Sequence, residues 1–161
     1  MNLPKLAIID RDSTLCFASN DPSSPIYYIL SPDALILKPG VREAVQLLRA
    51  HSIPMILATK QRCISKGLVT QEQVRAIHDH LESLLGIEFD GICVEESAED
   101  KGAIYHAILS NYPVKPEEVA LFDDSQPEID IASRMGLRVY RVTSEDNHNL
   151  LSRVRHLLEI P

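Results

Sequence analysis

Short apolar runs alternate with amphipathic stretches along the whole chain. The apolar runs predict five strands, and the stretches in which apolar residues recur every three or four positions predict five helices. The strand candidates are Leu6–Ile9, Ile53–Ala58, Gly91–Val94, Val119–Phe122 and Leu137–Val142. Four of the helix candidates are Val41–His51, Lys101–Asn111, Pro127–Met135 and Asn149–Leu158. This alternation predicts an α/β fold with a doubly wound, mostly parallel sheet.

The remaining helix has clear signals at both ends. Thr70 and Gln73 have the spacing of a capping box, and Val69 and Val74 have that of a hydrophobic staple. Gly86 is a natural stop after the last apolar position. We therefore expect a helix between Thr70 and Gly86.

The helix candidate Lys101–Asn111 has a less distinct apolar stripe. We expect Ile104, Ala107 and Ile108 to face inward, because they recur at helical spacing.

The segment Cys16–Lys38, called the flap segment below, interrupts the alternation. It contains several turn-forming residues between Asn20 and Pro25, followed by two tyrosines. A long connection inside a compact domain is usually functional or mobile. Two interpretations stay open with equal weight: a flap over a site, or a mobile surface loop.

Length and composition narrow the function classes. The 161 residues predict a single domain over 1–161, and the 45% hydrophobic and 24% charged residues are typical of globular proteins. The net charge of −7 argues against a nucleic-acid partner, which usually requires a basic face. No apolar run approaches the ~20 residues that span a bilayer, and the N-terminus enters a strand pattern at once, so we expect no membrane segment and no signal peptide.

The spacing of the cysteines is also typical of a cytoplasmic globular protein. The three cysteines are far apart and form no CxxC pair. A disulfide framework or a zinc finger is therefore not expected, and reduced thiols in the cytoplasm are the simplest interpretation.

Parallel sheets bind their ligands at the carboxyl ends of the strands. In this sequence polar residues follow the predicted strands at those ends. They are Asp10 and Asp12 with Thr14 behind them, then Thr59, Lys60 and Gln61, then Lys101 at a helix start, then Asp123, Asp124 and Ser125. Each alone has an ordinary alternative as a turn residue, a helix cap or a solvated lysine. Together they provide carboxylates for Mg²⁺ and cations or hydroxyls for phosphoryl oxygens, as phosphoryl transfer requires.

These residues carry a resemblance to a known family. The order DxDxT, then Thr, then Lys, then Asp-Asp resembles the haloacid dehalogenase (HAD) superfamily of phosphohydrolases. Asp10–Leu15, Pro32–Val41 and Thr59–Gly67 are similar to segments of its histidinol-phosphatase and heptose-bisphosphate-phosphatase branch. The resemblance covers nearly the whole chain.

The chain also departs from that branch. Ser13 stands where the branch has Gly, Lys60 where it has Asn, and Asp123 where many relatives have Gly. The branch often carries a Cys/His zinc loop, whereas residues 94–100 contain neither residue type. We therefore expect no zinc.

The resemblance implies a mechanism for the site residues. Asp10 would be the nucleophile, and Asp12 the general acid and base. Mg²⁺ would bind Asp10, the backbone carbonyl of Asp12 and Asp124, with a contribution from Asp123. The residues around the transferring phosphoryl group would be Thr59 and Lys101, with substrate contacts from Thr14, Lys60, Gln61 and Ser125.

The expected substrate is a small phosphate ester. A chain of 161 residues has no room for a large cap domain, so the flap segment or a neighbouring subunit of a homo-oligomer would close the site.

Other functions stay open at this stage. The departures at Ser13 and Lys60 are compatible with a non-catalytic or regulatory binding protein of the same fold. A phosphatase of nucleic-acid ends or phosphoproteins is disfavoured by the acidic charge. A phosphorylated signalling receiver has its acidic pair first and its phosphorylated Asp on a middle strand, which is the reverse of the order here. The six histidines lack ligand-like spacing and are expected to be structural or on the surface.

Overall fold

A five-stranded parallel sheet forms the centre of the fold in the computed structural model, which describes residues 2–161. The strands are β1 (Leu6–Ile9), β2 (Met55–Lys60), β3 (Gly91–Glu95), β4 (Val119–Asp123) and β5 (Arg138–Arg141), in the spatial order β3-β2-β1-β4-β5. Pairing is in register through the central strand, where Ala7 lies beside Met55 of β2 and Ala120 of β4. The predicted fold class is confirmed, and the strand order changes direction next to β1.

Five helices cover the two faces of the sheet: α1 (Val41–Ala50), α2 (Gln71–Leu85), α3 (Gly102–Asn111), α4 (Gln126–Arg134) and α5 (Leu150–Leu157). Side chains of β1 alternate between two cores. Ala7 and Ile9 pack with residues of α1, α2 and α5, whereas Leu6 and Ile8 pack with residues of α3 and α4. No helix among residues 2–161 is long and apolar enough to cross a membrane.

The capping interactions predicted for α2 are formed in the structure. The Thr70 hydroxyl accepts the backbone N–H of Gln73, and the Gln73 side chain accepts the N–H of Thr70. Val69 and Val74 share a small apolar cluster, and Gly86 ends the helix with φ of 70°. These local interactions fix where α2 begins and ends.

The predicted inner face of α3 is wrong at one position. Ala107 is exposed, and Tyr105 is buried with Ile108 instead, while Ile104 is half-buried. Apolar residues surround much of this helix, so spacing alone does not single out one face.

The two ends of the flap segment are bonded to each other. Cys16 and Leu37 form an antiparallel bridge, the N–H of Phe17 donates to Ile36 O at 2.9 Å, and that of Lys38 donates to Leu15 O at 2.9 Å. Between these ends the segment includes a short 3₁₀ helix over Pro32–Ala34. The segment therefore leaves and re-enters the fold at one place, beside the end of β1.

Candidate active site

A cavity of about 290 Å³ lies at the carboxyl ends of β1, β2 and β4. Most of the predicted site residues line it, namely Asp10, Asp12, Thr59, Lys60, Gln61, Lys101, Asp123, Asp124 and Ser125. Glu128 at the start of α4 also lines it, as do parts of the flap segment. The structure thus brings together four separate stretches that hold the predicted residues, and the flap segment adds a fifth.

Lys101 is the central cation of the cavity. Its side chain is only 2% exposed, and Nζ donates to Asp10 Oδ1 at 2.9 Å, to Asp123 Oδ2 at 2.6 Å and to Ala58 O at 3.1 Å. Burial favours the neutral amine, but Asp10 and Asp123 outweigh it and raise the pKa of Lys101. Lys101 is therefore a permanent ammonium, and the alternative of a solvated lysine is excluded.

Glu128 fixes the backbone at Lys101. Its carboxylate oxygens accept the Lys101 backbone N–H at 2.9 and 3.2 Å. A carboxylate is in any case favourable in the first turn of a helix. The structure shows that this carboxylate holds the start of α3 against the start of α4.

Thr14 lies behind Asp10 and does not line the cavity. It is fully buried, and its hydroxyl donates to Asp10 Oδ2 at 3.1 Å. Thr14 was predicted to contact the substrate directly, but from this position it can affect the substrate only through Asp10. With Lys101 on the other oxygen, Asp10 is held at both ends of its carboxylate.

Three carboxylates lie close enough to share a cation. Oxygens of Asp10, Asp123 and Asp124 lie within 4.8 Å of one another. Asp123 has donors on both oxygens, Lys101 on Oδ2 and the Ser125 N–H on Oδ1 at 2.9 Å. Asp10 also has donors on both oxygens, but it is more exposed than Asp123, 6% against 1%. Asp124 is half-buried and is not bonded to Lys101. Asp10 and Asp124 are therefore the two carboxylates more open to a metal ion.

The crowding of these carboxylates changes their protonation. Burial, together with the charge of Asp123, raises the pKa of Asp10 to about 6 despite Lys101. Burial and the charge of Asp10 raise the pKa of Asp124 to about 7. A divalent cation between the two would relieve this repulsion, so the donor set fits Mg²⁺.

Asp12 has a different environment, which sequence reasoning missed. Arg11 donates from Nε to Asp12 Oδ1 at 2.8 Å and from Nη2 to Oδ2 at 3.2 Å. Burial acts to raise the pKa of Asp12, but the Arg11 guanidinium outweighs it, and the pKa is lowered.

Behind Arg11 lies His78, on the buried face of α2. Its Nε2 is 3.2 Å from Arg11 Nη1. Burial and the nearby guanidinium lower the pKa of His78 to about 4, so the ring is neutral. Sequence reasoning gave His78 no specific role. It lies four residues after Val74 and three before Leu81, so its place on the apolar stripe of this helix could have drawn attention to it.

The residues after β2 form a second wall. Gln61 Nε2 donates to Thr59 Oγ1 at 2.9 Å and to Asp12 Oδ2 at 3.0 Å. Lys60 is exposed, and its Nζ donates to Glu99 O at 2.6 Å. Lys60 therefore belongs to the rim, whereas Thr59 and Gln61 belong to the buried wall.

Flap residues and two further cations complete the mouth. Tyr27 and Tyr28 line the cavity with Arg62 and Lys66, and Lys66 Nζ donates to Tyr28 Oη at 2.6 Å. This part of the flap segment thus lies at the entrance of the site.

Comparison with known proteins identifies the family of this chain. Residues 7–136 match the family model of the haloacid dehalogenase-like hydrolases, and this region holds every residue of the site described above. The chain belongs to the haloacid dehalogenase-like hydrolase family. The predicted superfamily and the prediction of a HAD-type phosphatase are thereby confirmed.

Two HAD-family relatives of known activity are similar in sequence. D-glycero-beta-D-manno-heptose-1,7-bisphosphate 7-phosphatase of Bordetella bronchiseptica is 27% identical over 92% of this chain and 86% of that protein. D-glycero-D-manno-heptose-1,7-bisphosphate 7-phosphatase of Chlorobaculum tepidum is 28% identical over 79% of this chain and 56% of that protein.

A solved structure shows the same fold. The D,D-heptose 1,7-bisphosphate phosphatase of B. bronchiseptica, complexed with magnesium and phosphate, has a TM-score of 0.81 at 24% identity, covering 96% of this chain and 98% of that chain. The HAD fold of the present chain is therefore shared over nearly its full described length.

Proposed function

We propose that this chain is a Mg²⁺-dependent phosphomonoesterase that hydrolyses a small phosphorylated sugar through an aspartyl-phosphate on Asp10. The observation that carries the proposal is the setting of Asp10. Lys101 and Thr14 hold its two oxygens, and the carboxylate faces the cavity. A carboxylate fixed in this way is suited to act as a nucleophile.

The metal ligands in this proposal are Asp10, Asp124 and the backbone carbonyl of Asp12. Asp123 would act mainly by holding Lys101, because it is only 1% exposed and its contact with Lys101 Nζ, at 2.6 Å, is shorter than that of Asp10 at 2.9 Å. When bound, Mg²⁺ would neutralise charge on the phosphate oxygens and on the crowded carboxylates. Lys101 and Thr59 would contact the remaining phosphoryl oxygens.

The reaction then proceeds in two steps. Asp12 takes up a proton when the phosphate dianion binds beside it, because this negative charge favours the neutral acid. An oxygen of Asp10 then attacks phosphorus, the bond to the ester oxygen breaks, and Asp12 gives this proton to the leaving alcohol. In the second step Asp12 takes a proton from water, whose oxygen attacks the phosphorus of the aspartyl-phosphate. Inorganic phosphate leaves, and Asp10 is regenerated as a free carboxylate.

The mouth of the cavity supports a substrate with a second anionic group. Lys60, Arg62 and Lys66 place three cations around an otherwise acidic cavity. The volume of about 290 Å³ suits a small ligand such as a sugar phosphate. The two sequence relatives are named as phosphatases of a sugar bisphosphate, which agrees with this substrate class. A cytoplasmic location is part of the proposal, because the three cysteines are free thiols.

The test is hydrolysis of p-nitrophenyl phosphate with Mg²⁺, with Asp10→Asn as the control. We expect turnover by the wild type and a loss of at least about 10³-fold in the variant, since no other carboxylate lies in its place. A panel of sugar monophosphates and matched sugar bisphosphates then tests the substrate class. Equal rates for wild type and Asp10→Asn across the panel would favour the non-catalytic alternative. A preference for monophosphates would contradict the assigned role of the basic mouth.

A further inference from the structure

Arg11 is a charged side chain placed where charge is costly. It is fully buried, although it lies one residue from the nucleophile and does not line the cavity. A buried ion pair is seldom a source of net stability, because desolvation offsets most of the attraction between the charges. The placement of Arg11 therefore calls for an explanation in terms of the site.

The geometry gives Arg11 two partners on opposite sides. Its Nε and Nη2 bond both carboxylate oxygens of Asp12, at 2.8 and 3.2 Å. Nη1 lies 3.2 Å from His78 Nε2. A guanidinium has only donors, so Nε2 of His78 must accept, and the ring carries its proton on Nδ1.

This arrangement connects α2 to the carboxylate that faces the cavity. Asp12 remains 29% exposed on its cavity side, while its other side meets the planar fork of Arg11. A fork of this kind fixes the orientation of a carboxylate as well as its position. His78 holds the far end of the fork, because without an acceptor there the buried Nη1 would lack a partner and the guanidinium would turn.

We propose that His78 and Arg11 are positioning residues that hold the Asp12 carboxylate in the orientation needed to transfer a proton to the leaving-group oxygen. The inference rests on the proposed function, in which Asp12 is the general acid. His78 does not touch the substrate and acts only through Arg11.

The experiment compares His78→Gln with His78→Asn in the full chain. The Gln side chain can place an acceptor near the position of Nε2, whereas Asn ends near Nδ1 and does not reach Arg11. Both are polar amides, so burying either of them at position 78 has a similar desolvation cost. His80→Leu, on the same helix but away from the cavity, is the matched control.

Two substrates separate positioning from simple loss of structure. Glycerol phosphate has an alkoxide leaving group that needs a proton, whereas p-nitrophenolate leaves without one. We compare kcat/KM, because it covers the steps up to release of the alcohol and not the hydrolysis of the aspartyl-phosphate, in which Asp12 is the base for both substrates. We expect His78→Asn to lower kcat/KM for glycerol phosphate by about 10-fold or more relative to p-nitrophenyl phosphate, since general acid catalysis contributes about 10²–10⁴-fold. His78→Gln should restore most of kcat/KM, and Asp12→Asn is judged on the same quantity.

The outcomes distinguish the role of Asp12 as general acid from the role of His78 in positioning it. Asp12→Asn is measured with the same substrates, and it should show the same selective loss. If it does not, Asp12 is not the general acid, and the mechanism in the proposed function is wrong. If Asp12→Asn shows the loss but His78→Asn affects both substrates equally, or His78→Gln gives no recovery, the positioning role is refuted. Arg11→Lys, which keeps the charge but not the fork, provides the same comparison if His78→Asn does not fold.

Discussion

Replacing Asp124 by Asn should stabilise the metal-free protein at alkaline pH. The pKa of this carboxyl is raised from 3.8 to about 7, first by burial and then by Asp10. The folded state therefore holds this proton more tightly than the unfolded state does. As pH rises from about 4 through about 7, the wild type loses stability, whereas the Asn variant has no such proton to lose.

The magnitude follows from the shift. About three pKa units at 1.36 kcal/mol each give about 4 kcal/mol as an upper bound. Asp124 is partly exposed, and the charge is shared with Asp10, so we expect a gain of about 1–3 kcal/mol for the variant above pH 7 and little difference near pH 4.

Urea unfolding in EDTA at pH 4.5 and pH 8 measures the effect. Asp146→Asn, a change at an exposed carboxylate in the loop after β5, is the control and should not show this pH dependence. Adding Mg²⁺ at pH 8 to 1,000 times its Kd should reverse the order, because a ligand at that concentration stabilises by about 4.1 kcal/mol and the variant has lost a metal ligand. If the variant is less stable than the wild type in EDTA at both pH values, the account of crowded carboxylates is wrong.

Three further changes test other parts of the site. Lys101→Met should lower kcat on p-nitrophenyl phosphate by about 10²-fold or more and destabilise the metal-free protein by about 3–5 kcal/mol, since Asp123 would lose its buried cation; retained activity would exclude its role at the phosphate. Ser13→Gly should raise the free energy of unfolding by about 1 kcal/mol, because Ser13 has φ of 65°, and a lower melting temperature would contradict this. Tyr105→Phe should leave stability unchanged or raise it by about 1 kcal/mol, because no described residue bonds the buried hydroxyl, and a clear loss in urea unfolding would indicate a bound water there.

The sheet and the polar residues at its carboxyl edge were predictable from the chain alone. Apolar runs of four to six residues ending in Asp or Thr mark strands whose ends meet at one edge. The strand bounds shift by at most two residues, because apolar residues such as Ile53 continue beyond the hydrogen-bonded part of the strand.

What the sequence could not predict depends on contacts between distant residues. Arg11 meets a histidine 67 positions away, and Asp10 meets a lysine 91 positions away. The burial of Tyr105 rather than Ala107 depends on how α3 is rotated against the sheet, which the sequence does not specify because apolar residues are spread around the helix. The pKa of Asp10 is raised and that of Asp12 is lowered. This difference likewise depends on tertiary contacts, because Asp12 faces Arg11 whereas Asp10 shares Lys101 with Asp123.

The joined ends of the flap segment have a consequence for how this enzyme could change its selectivity. Because Cys16 and Leu37 are bridged, the residues between them form a loop whose anchor points stay fixed whatever its length. Each doubling of such a loop costs only about 0.6 kcal/mol. Insertions or exchanges between these anchors can therefore be tolerated without moving the nucleophile. We therefore expect that a longer loop grafted at positions 18–35 would alter which substrates enter the cavity while leaving the position of Asp10 unchanged.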